Sequence, residues 1–227
     1  VGTSYNASTV TNGLVLAWDV ANKRSYSGSG NTLSNLVNAQ TFSIAGTATF
    51  SSVSGGNLSF DGSTNYVDFT ANNLGTTTTV EMWLSLGAEY TGKMFFGWFS
   101  YDVWCHGGAI GYNTANSDVY GINSTTVTNL GLVGNYKHYV FEMRSDVSYT
   151  NNKIYINGVS QSLSQLYGTE LAVSRNFNSG VGRLSSWANT LQHLIPMNWA
   201  TFKIYNRALT QAEINQNFAA NRGRYGV

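Results

Sequence analysis

Apolar and polar residues alternate with a period of two along most of this chain. Thr76 to Leu86 shows the pattern best: Val80, Met82, Leu84 and Leu86 fall on one face, Glu81, Trp83 and Ser85 on the other. Such alternation predicts a strand with one face against a core. Gly13 to Val20 (GLVLAWDV) predicts another, with Leu14, Leu16 and Trp18 aligned. Leu58–Phe60, then Asp61-Gly62, then Tyr66–Phe69 reads as strand, turn, strand. Lys137–Arg144, Val181–Leu184 and Ala200–Tyr205 are further strands, and the polar, Gly/Ser-rich residues 22–40 predict a long loop. Met94 to Trp104 is dense in aromatics. In a simple strand reading, Phe96, Trp98 and Trp104 share one face and Phe95, Phe99 and Tyr101 the other. This is either a central strand buried on both sides or a strand that turns one aromatic set outward as a platform.

Two local signals are sharper. Ile154-Tyr155-Ile156 and Val159-Ser160 flank Asn157-Gly158, the dipeptide that best accepts positive φ at both centres of a two-residue hairpin turn. Thr210-Gln211-Ala212-Glu213 is a capping box, and Leu209 and Ile214 have the spacing of a hydrophobic staple. A C-terminal helix therefore starts at Thr210, turns Ile214 and Phe218 to the body of the protein, and is expected to stop at Gly223. Many short strands with Gly-rich turns and a single helix predict an all-β, two-sheet antiparallel sandwich in one domain, 1–227, with its core between about residues 13 and 220.

Composition narrows what such a sandwich does. Only 10% of residues are charged while 42% are hydrophobic, and formal net charge is +1. The surface must be solvated by Ser, Thr, Asn, Gln and Gly, which suits contact with sugars or protein surfaces. A net charge near zero gives no electrostatic footprint for nucleic acid. No stretch reads as a signal peptide or as an apolar span, so no membrane insertion is expected. The single cysteine, Cys105, excludes an internal disulfide.

Several segments together resemble laminin G-like, concanavalin A-like jelly rolls. They are Asn57-Leu-Ser-Phe-Asp-Gly-Ser-Thr-Asn-Tyr-Val (57–67), Thr79-Val-Glu-Met-Trp-Leu (79–84), Tyr136-Lys-His-Tyr-Val-Phe (136–141), Lys153-Ile-Tyr-Ile-Asn-Gly (153–158) and Phe202-Lys-Ile-Tyr-Asn-Arg-Ala-Leu-Thr-x-x-Glu-Ile (202–214). Each motif alone is weak; in this order they carry the fold. The ends, Leu14-Val-Leu-Ala-Trp-Asp and Gln216-Asn-Phe with Arg222-Gly-Arg-Tyr-Gly, resemble the version found in tailed-bacteriophage virion proteins. That resemblance implies a non-enzymatic structural, capsid-decoration or tail-fibre-associated module of the virion, oligomeric on a symmetric lattice. Its partners would be other virion proteins or host surface glycans. The alternative is a carbohydrate-binding module of a larger extracellular or cell-surface protein. Fold alone does not choose between them.

The residues argue against catalysis. Glycosidases of this architecture need paired carboxylates on one strand face. Glu81 and Glu142 each stand alone on their strands, and Glu89 lies in a loop. His106, His138 and His193 have no metal-ligand spacing, and adjacent Cys105 and His106 would point to opposite faces. If the domain binds a glycan, the expected site is a rim near residues 101–118. Tyr101 and Trp104 would supply rings, Asp102, Asn113, Asn116 and Asp118 short polar groups, and Gly107, Gly108 and Gly111 close backbone approach. No cofactor is required. Calcium is the alternative, with Asp102 and Asp118 as its candidate ligands alongside Asn116 and loop carbonyls, against a plain Asx-turn network.

Overall fold

The computed structural model describes residues 8–71, 74–99, 101–113, 118–145, 147–169, 181–188 and 191–227. Its elements in chain order are β1 (Leu14–Asp19), β2 (Thr32–Ser34), β3 (Thr41–Ala45), β4 (Thr49–Ser51), β5 (Asn57–Asp61), β6 (Tyr66–Thr70), β7 (Thr77–Leu86), β8 (Lys93–Trp98) and β9 (Tyr101–His106). They continue through β10 (Ala109–Asn113), β11 (Val119–Ile122), α1 (Ser124–Asn129), β12 (Tyr136–Arg144), β13 (Lys153–Ile156), β14 (Val159–Ser160), β15 (Ser164–Tyr167), β16 (Val181–Leu184), β17 (Pro196–Tyr205) and α2 (Gln211–Tyr225).

The strands form two antiparallel sheets. The first has eight strands, ordered β14-β13-β12-β7-β17-β5-β4, with β1 also on β17; the second has nine, ordered β15-β11-β10-β9-β8-β16-β6-β3-β2. β17 pairs with β7 along its length, and its opposite edge is shared. Pro196–Trp199 meets β5 and Thr201–Tyr205 meets β1, with a register shift between Trp199 and Thr201 where the partner changes. Alternation then fills the core as expected. Val80, Met82, Leu84 and Leu86 of β7 and Phe202 and Ile204 of β17 pack with Phe95, Phe96, Trp98, Tyr101, Val103 and Cys105 of the second sheet. Trp18 lies among Phe42, at 5.2 Å between ring centroids, and Phe202, at 5.4 Å.

The aromatic stretch departs from its simple reading. It is a hairpin, β8 and β9, rather than one strand, and the ladder slips between Met94 and Phe96. The bulge turns both Phe95 and Phe96 inward, with Trp98 and Tyr101. Trp104 therefore faces away from Phe96 and Trp98, not with them, and Phe99 is 57% exposed. The expected loop at 22–40 also contains β2, and α1 was not foreseen. Its sequence, STTVTN, is a poor helix former, held by the Asn123 side chain, which accepts from the Thr126 N–H at 2.8 Å.

The hairpin at 153–160 forms as predicted, with φ of 52° at Asn157 and 81° at Gly158. The Phe60-Asp61-Gly62 motif closes the β5–β6 turn. The Asp61 carboxylate accepts the N–H groups of Ser63 and Thr64, each at 2.8 Å, and against the opposing effect of burial these donors hold its pKa far below the usual carboxylate range.

Helix α2 begins at the capping box, Thr210 accepting from the Glu213 N–H and Glu213 from that of Thr210. Leu209 and Ile214 share one apolar cluster, as a staple requires. The helix does not stop at Gly223; it ends at Gly226, left-handed with φ 70°. Tertiary contacts hold that extra turn. The Tyr225 ring stacks on Trp83 at 4.3 Å, and Arg224 reaches Asp19 at 2.8 Å and the carbonyl of Gly56 at 2.9 Å. Ile214 is buried, but Phe218 is only half-buried, stacked on Trp83 at 5.8 Å. Phe218→Ala should therefore cost about 2 kcal/mol in a denaturant titration, below the 3–5 of a fully buried ring.

Candidate functional site

The two sheets treat their outer faces differently. On the first, α2 covers Trp83, Ala200 and Tyr136 at one end and Val140, Tyr155 and Tyr205 at the other. Beneath it lies a buried polar cluster. Lys203 Nζ donates to Glu81 Oε1 at 2.7 Å, His138 Nε2 lies 3.4 Å from the same oxygen, and Asn217 of α2 donates to Glu81 Oε2. Asn217 also donates to the Tyr205 hydroxyl at 3.0 Å and accepts the Val10 N–H at 2.8 Å. These groups fasten the helix and lie away from solvent.

The second sheet has no covering helix among the described residues, and its outer face is aromatic and polar. Its surface follows from register. Met94, Trp104 and Gly111 lie in one row across β8, β9 and β10, which Gly121 of β11 extends; Arg183, Gly97, Asp102 and Asn113 form the next row, from β16 to β10. Met94, Trp104, Ala109 and Val119 make a small apolar cluster on this face, with Leu166 and Trp187 packed against it. The rings run on at both sides. Phe99 stacks on Trp187 at 6.4 Å, His106 lies 4.5 Å from Trp104, and Tyr167 meets His106 edge-on at 4.8 Å. Trp104 itself is 7% exposed, while Trp187 and His106 are half-buried.

Glycines give the face its low relief. Gly111 and Gly121 oppose each other, and a Cβ at either would fall 2.4 Å and 2.1 Å, respectively, from a carbonyl oxygen of the partner strand. The backbones thus approach closely and leave no side chain beside Trp104. Gly97 lies beneath Trp187, whose Cβ would be 2.9 Å from an added Cβ. The polar groups of the row are few. Asn113 Nδ2 donates to Asp102 Oδ2 at 3.1 Å, and Asn113 Oδ1 is buried with no hydrogen-bond partner among the described residues. Arg183 holds Asp68 through two bonds, of 2.6 and 2.9 Å, and its guanidinium lies 4.1 Å over the Tyr66 ring.

The structure divides the residues expected at the rim. Asp102, Trp104 and Asn113 share the outer face of the second sheet. Tyr101 does not: it is fully buried between the sheets, takes a hydrogen bond from Asn152 at 2.6 Å, and has no surface on which a sugar could stack. The hairpin turn after Trp98 changes the strand's phase and points it inward. Asp118 is fully buried just before β11 and lies 3.5 Å from Gln165 Nε2. Asn116 lies outside the described residues. Trp187, His106, Phe99 and Tyr167 join the face from separate strands and turns. Only their aromatic character marked them, since the pairings that gather them are long-range.

Cys105 and His106 diverge as expected. The thiol is enclosed in the core, where burial pushes its pKa well up, and the imidazole lies outside. Most carboxylates have structural partners: Asp19 with Arg224, Asp68 with Arg183, Glu81 with Lys203, Glu142 with Arg144 and Glu213 with Arg207. Among the described residues no group of three or more His, Cys, Asp and Glu could hold a metal ion, and no helix is long and apolar enough to cross a membrane.

Two antiparallel sheets around one aromatic core, with a helix closing only the first, define a jelly-roll sandwich of the laminin G-like kind. The profile of the concanavalin A-like lectin/glucanases superfamily matches residues 61–215, and the chain belongs to that superfamily. A sequence comparison with curated proteins finds no match. Among solved structures, the receptor binding domain of a botulinum neurotoxin C/D mosaic serotype is similar with a TM-score of 0.59 and 9% identity, over 91% of this chain and 51% of that one. The binding domain of Paraclostridial Mosquitocidal Protein 1 gives a TM-score of 0.61 at 14% identity, over 91% and 52%. The ligand binding domain of botulinum neurotoxin serotype D, in complex with N-acetylneuraminic acid, gives 0.58 at 10%, over 91% and 50%. This chain spans about half the length of each, and at such identity the likeness is one of fold.

Proposed function

We propose that this chain is a non-catalytic carbohydrate-binding module whose ligand lies on the outer face of the second sheet, over Trp104 and Trp187. The observation that carries the reading is the contrast between the two outer faces. One is closed by α2; the other sets a run of rings beside a glycine-paired strand and the Asn113 amide. Pyranose rings bind through such a combination, because C–H faces pack on aromatic rings while a few placed polar groups fix the hydroxyls. The superfamily, which includes lectins, and the receptor-binding neighbours support the same reading. The pairing of most carboxylates to structural cations supports a binding role over a hydrolytic one.

A glycan array probed with the whole chain tests this. Trp187→Ala, at a half-buried position, should weaken any array hit about thirty-fold, the effect of losing an interface ring worth about 2 kcal/mol. Trp104→Ala should do the same and also destabilise the domain. Retained binding in both variants would move the site elsewhere.

We place the module on a bacteriophage virion, as a decoration or fibre-associated part, on the resemblance of the chain's two ends and its low charge. In the fold those ends are one unit: Asp19 of β1 pairs with Arg224 of α2. Mass spectrometry of purified particles checks this placement. Absence of the chain from them leaves the module of a larger secreted or surface protein.

A further inference from the structure

We infer that the ligand of this face is an uncharged glycan, and that sialylated, sulfated and uronic-acid-bearing glycans are excluded. The inference rests on the reading of the face as a sugar site and adds the class of sugar. Its basis is the set of charges along one row of the second sheet.

Capturing an acidic sugar takes a cation or a cluster of N–H donors able to turn to the ligand. Among the described residues the face has one cation, Arg183, and its geometry is already used. Both arms of its fork are on Asp68, its plane lies over Tyr66, and its side chain is only 10% exposed. A ligand carboxylate or sulfate would have to displace Asp68, which is covalently fixed one strand away in register. Lys93, at the start of β8, donates instead to the Gly62 carbonyl at 3.3 Å. Two positions further along the same row stands a second carboxylate, Asp102. The row thus presents two carboxylates to one cation, and an incoming anion meets like charge in a partly desolvated setting, where such juxtaposition is costly.

What the face offers otherwise is neutral. Asn113 presents an amide oxygen without a partner, and the Trp104 and Trp187 indoles carry N–H groups without one among the described residues. Indoles in the core lack partners too, so the Asn113 oxygen is the sharper mark. Neutral donors and acceptors match hydroxyl groups, which both give and take hydrogen bonds. The low overall charge of the chain fits the same ligand class.

The test is an array in which each neutral oligosaccharide stands beside its sialylated, sulfated and uronate counterparts, probed with the whole chain at pH 8 and followed by calorimetric titration of the hits. Neutral glycans should bind, and their acidic counterparts at least about ten-fold more weakly. Affinity for the neutral ligand should stay flat as salt is raised, a readout that needs no variant. Asp68→Asn, which frees the Arg183 fork at a position where the carboxylate is 43% exposed, should narrow the gap by strengthening the acidic forms. Equal or tighter binding of acidic glycans, a salt-sensitive neutral affinity, or a gap unmoved in folded Asp68→Asn protein would each overturn the inference while leaving the sugar site standing. Binding to no glycan at all would overturn both.

Discussion

Lys203→Met should cost the domain about 3–5 kcal/mol, the range for breaking a buried ion pair by removing one partner. Glu81 is fully buried beneath α2, and Lys203 reaches it at 2.7 Å from the neighbouring strand β17. Methionine matches the lysine stem in bulk, so packing is nearly kept and the loss reports the stranded carboxylate. The double variant Glu81→Gln with Lys203→Met removes both charges and should recover most of the stability, because the desolvation cost vanishes with the charge. A denaturant series on the single variants and the double variant checks this; equal losses in all of them would place the effect in packing.

The same cluster sets an acid limit. Burial alone would push the Glu81 carboxyl up. The charge of Lys203, with His138 beside it, outweighs that effect and holds the pKa at about 2, below its model value of 4.5. A depressed carboxyl stabilises the fold above its unfolded-state pKa. Its contribution is therefore full above about pH 4.5 and is lost as pH falls towards 2. Asn217 ties α2 to this carboxylate, so hydrogen exchange in the helix should accelerate first in that window. Lys203→Met protein should lose its helix at a higher pH than the parent.

Gly121→Ala should destabilise the domain by about 3 kcal/mol, the upper end of the cost of overpacking. The new methyl would fall 2.1 Å from the Ile110 carbonyl oxygen and 2.5 Å from the Gly111 Cα. Backbone atoms of a paired strand cannot swing aside as a side chain does, so β10 and β11 must separate. Since β10 also pairs with β9, the shift would spread toward Trp104. Glycan binding should therefore fall with stability in this variant, whereas Trp187→Ala should lose binding with little change in melting temperature. A Gly121→Ala protein as stable as its parent would mean that the two strands are further apart than described.

Where local chemistry decides the outcome, the chain could be read directly. Asn157-Gly158 needs only its own backbone to accept positive φ. Thr210, Glu213, Leu209 and Ile214 complete their cap and staple within one turn. The alternation of β7 places Val80 to Leu86 on the core by geometry alone. Elsewhere the outcome was set by partners distant in sequence. The bulge at Phe95 and Phe96 depends on how β8 meets β9, and with the turn after Trp98 it inverts the face assigned to Trp104 and sends Tyr101 into the core. Gly223 would end an isolated helix, but Trp83 and Asp19 hold the next turn in place through Tyr225 and Arg224. The candidate site was half legible for the same reason. Asp102, Trp104 and Asn113 lie on neighbouring strands of one antiparallel meander, whose alternation shows from the residues themselves. Trp187, Tyr167 and the Asp68–Arg183 pair come from strands and turns whose neighbours are chosen only when the sheet assembles. A strand's own sequence sets which of its faces is apolar, but the free energy that selects its partners is shared across the whole core.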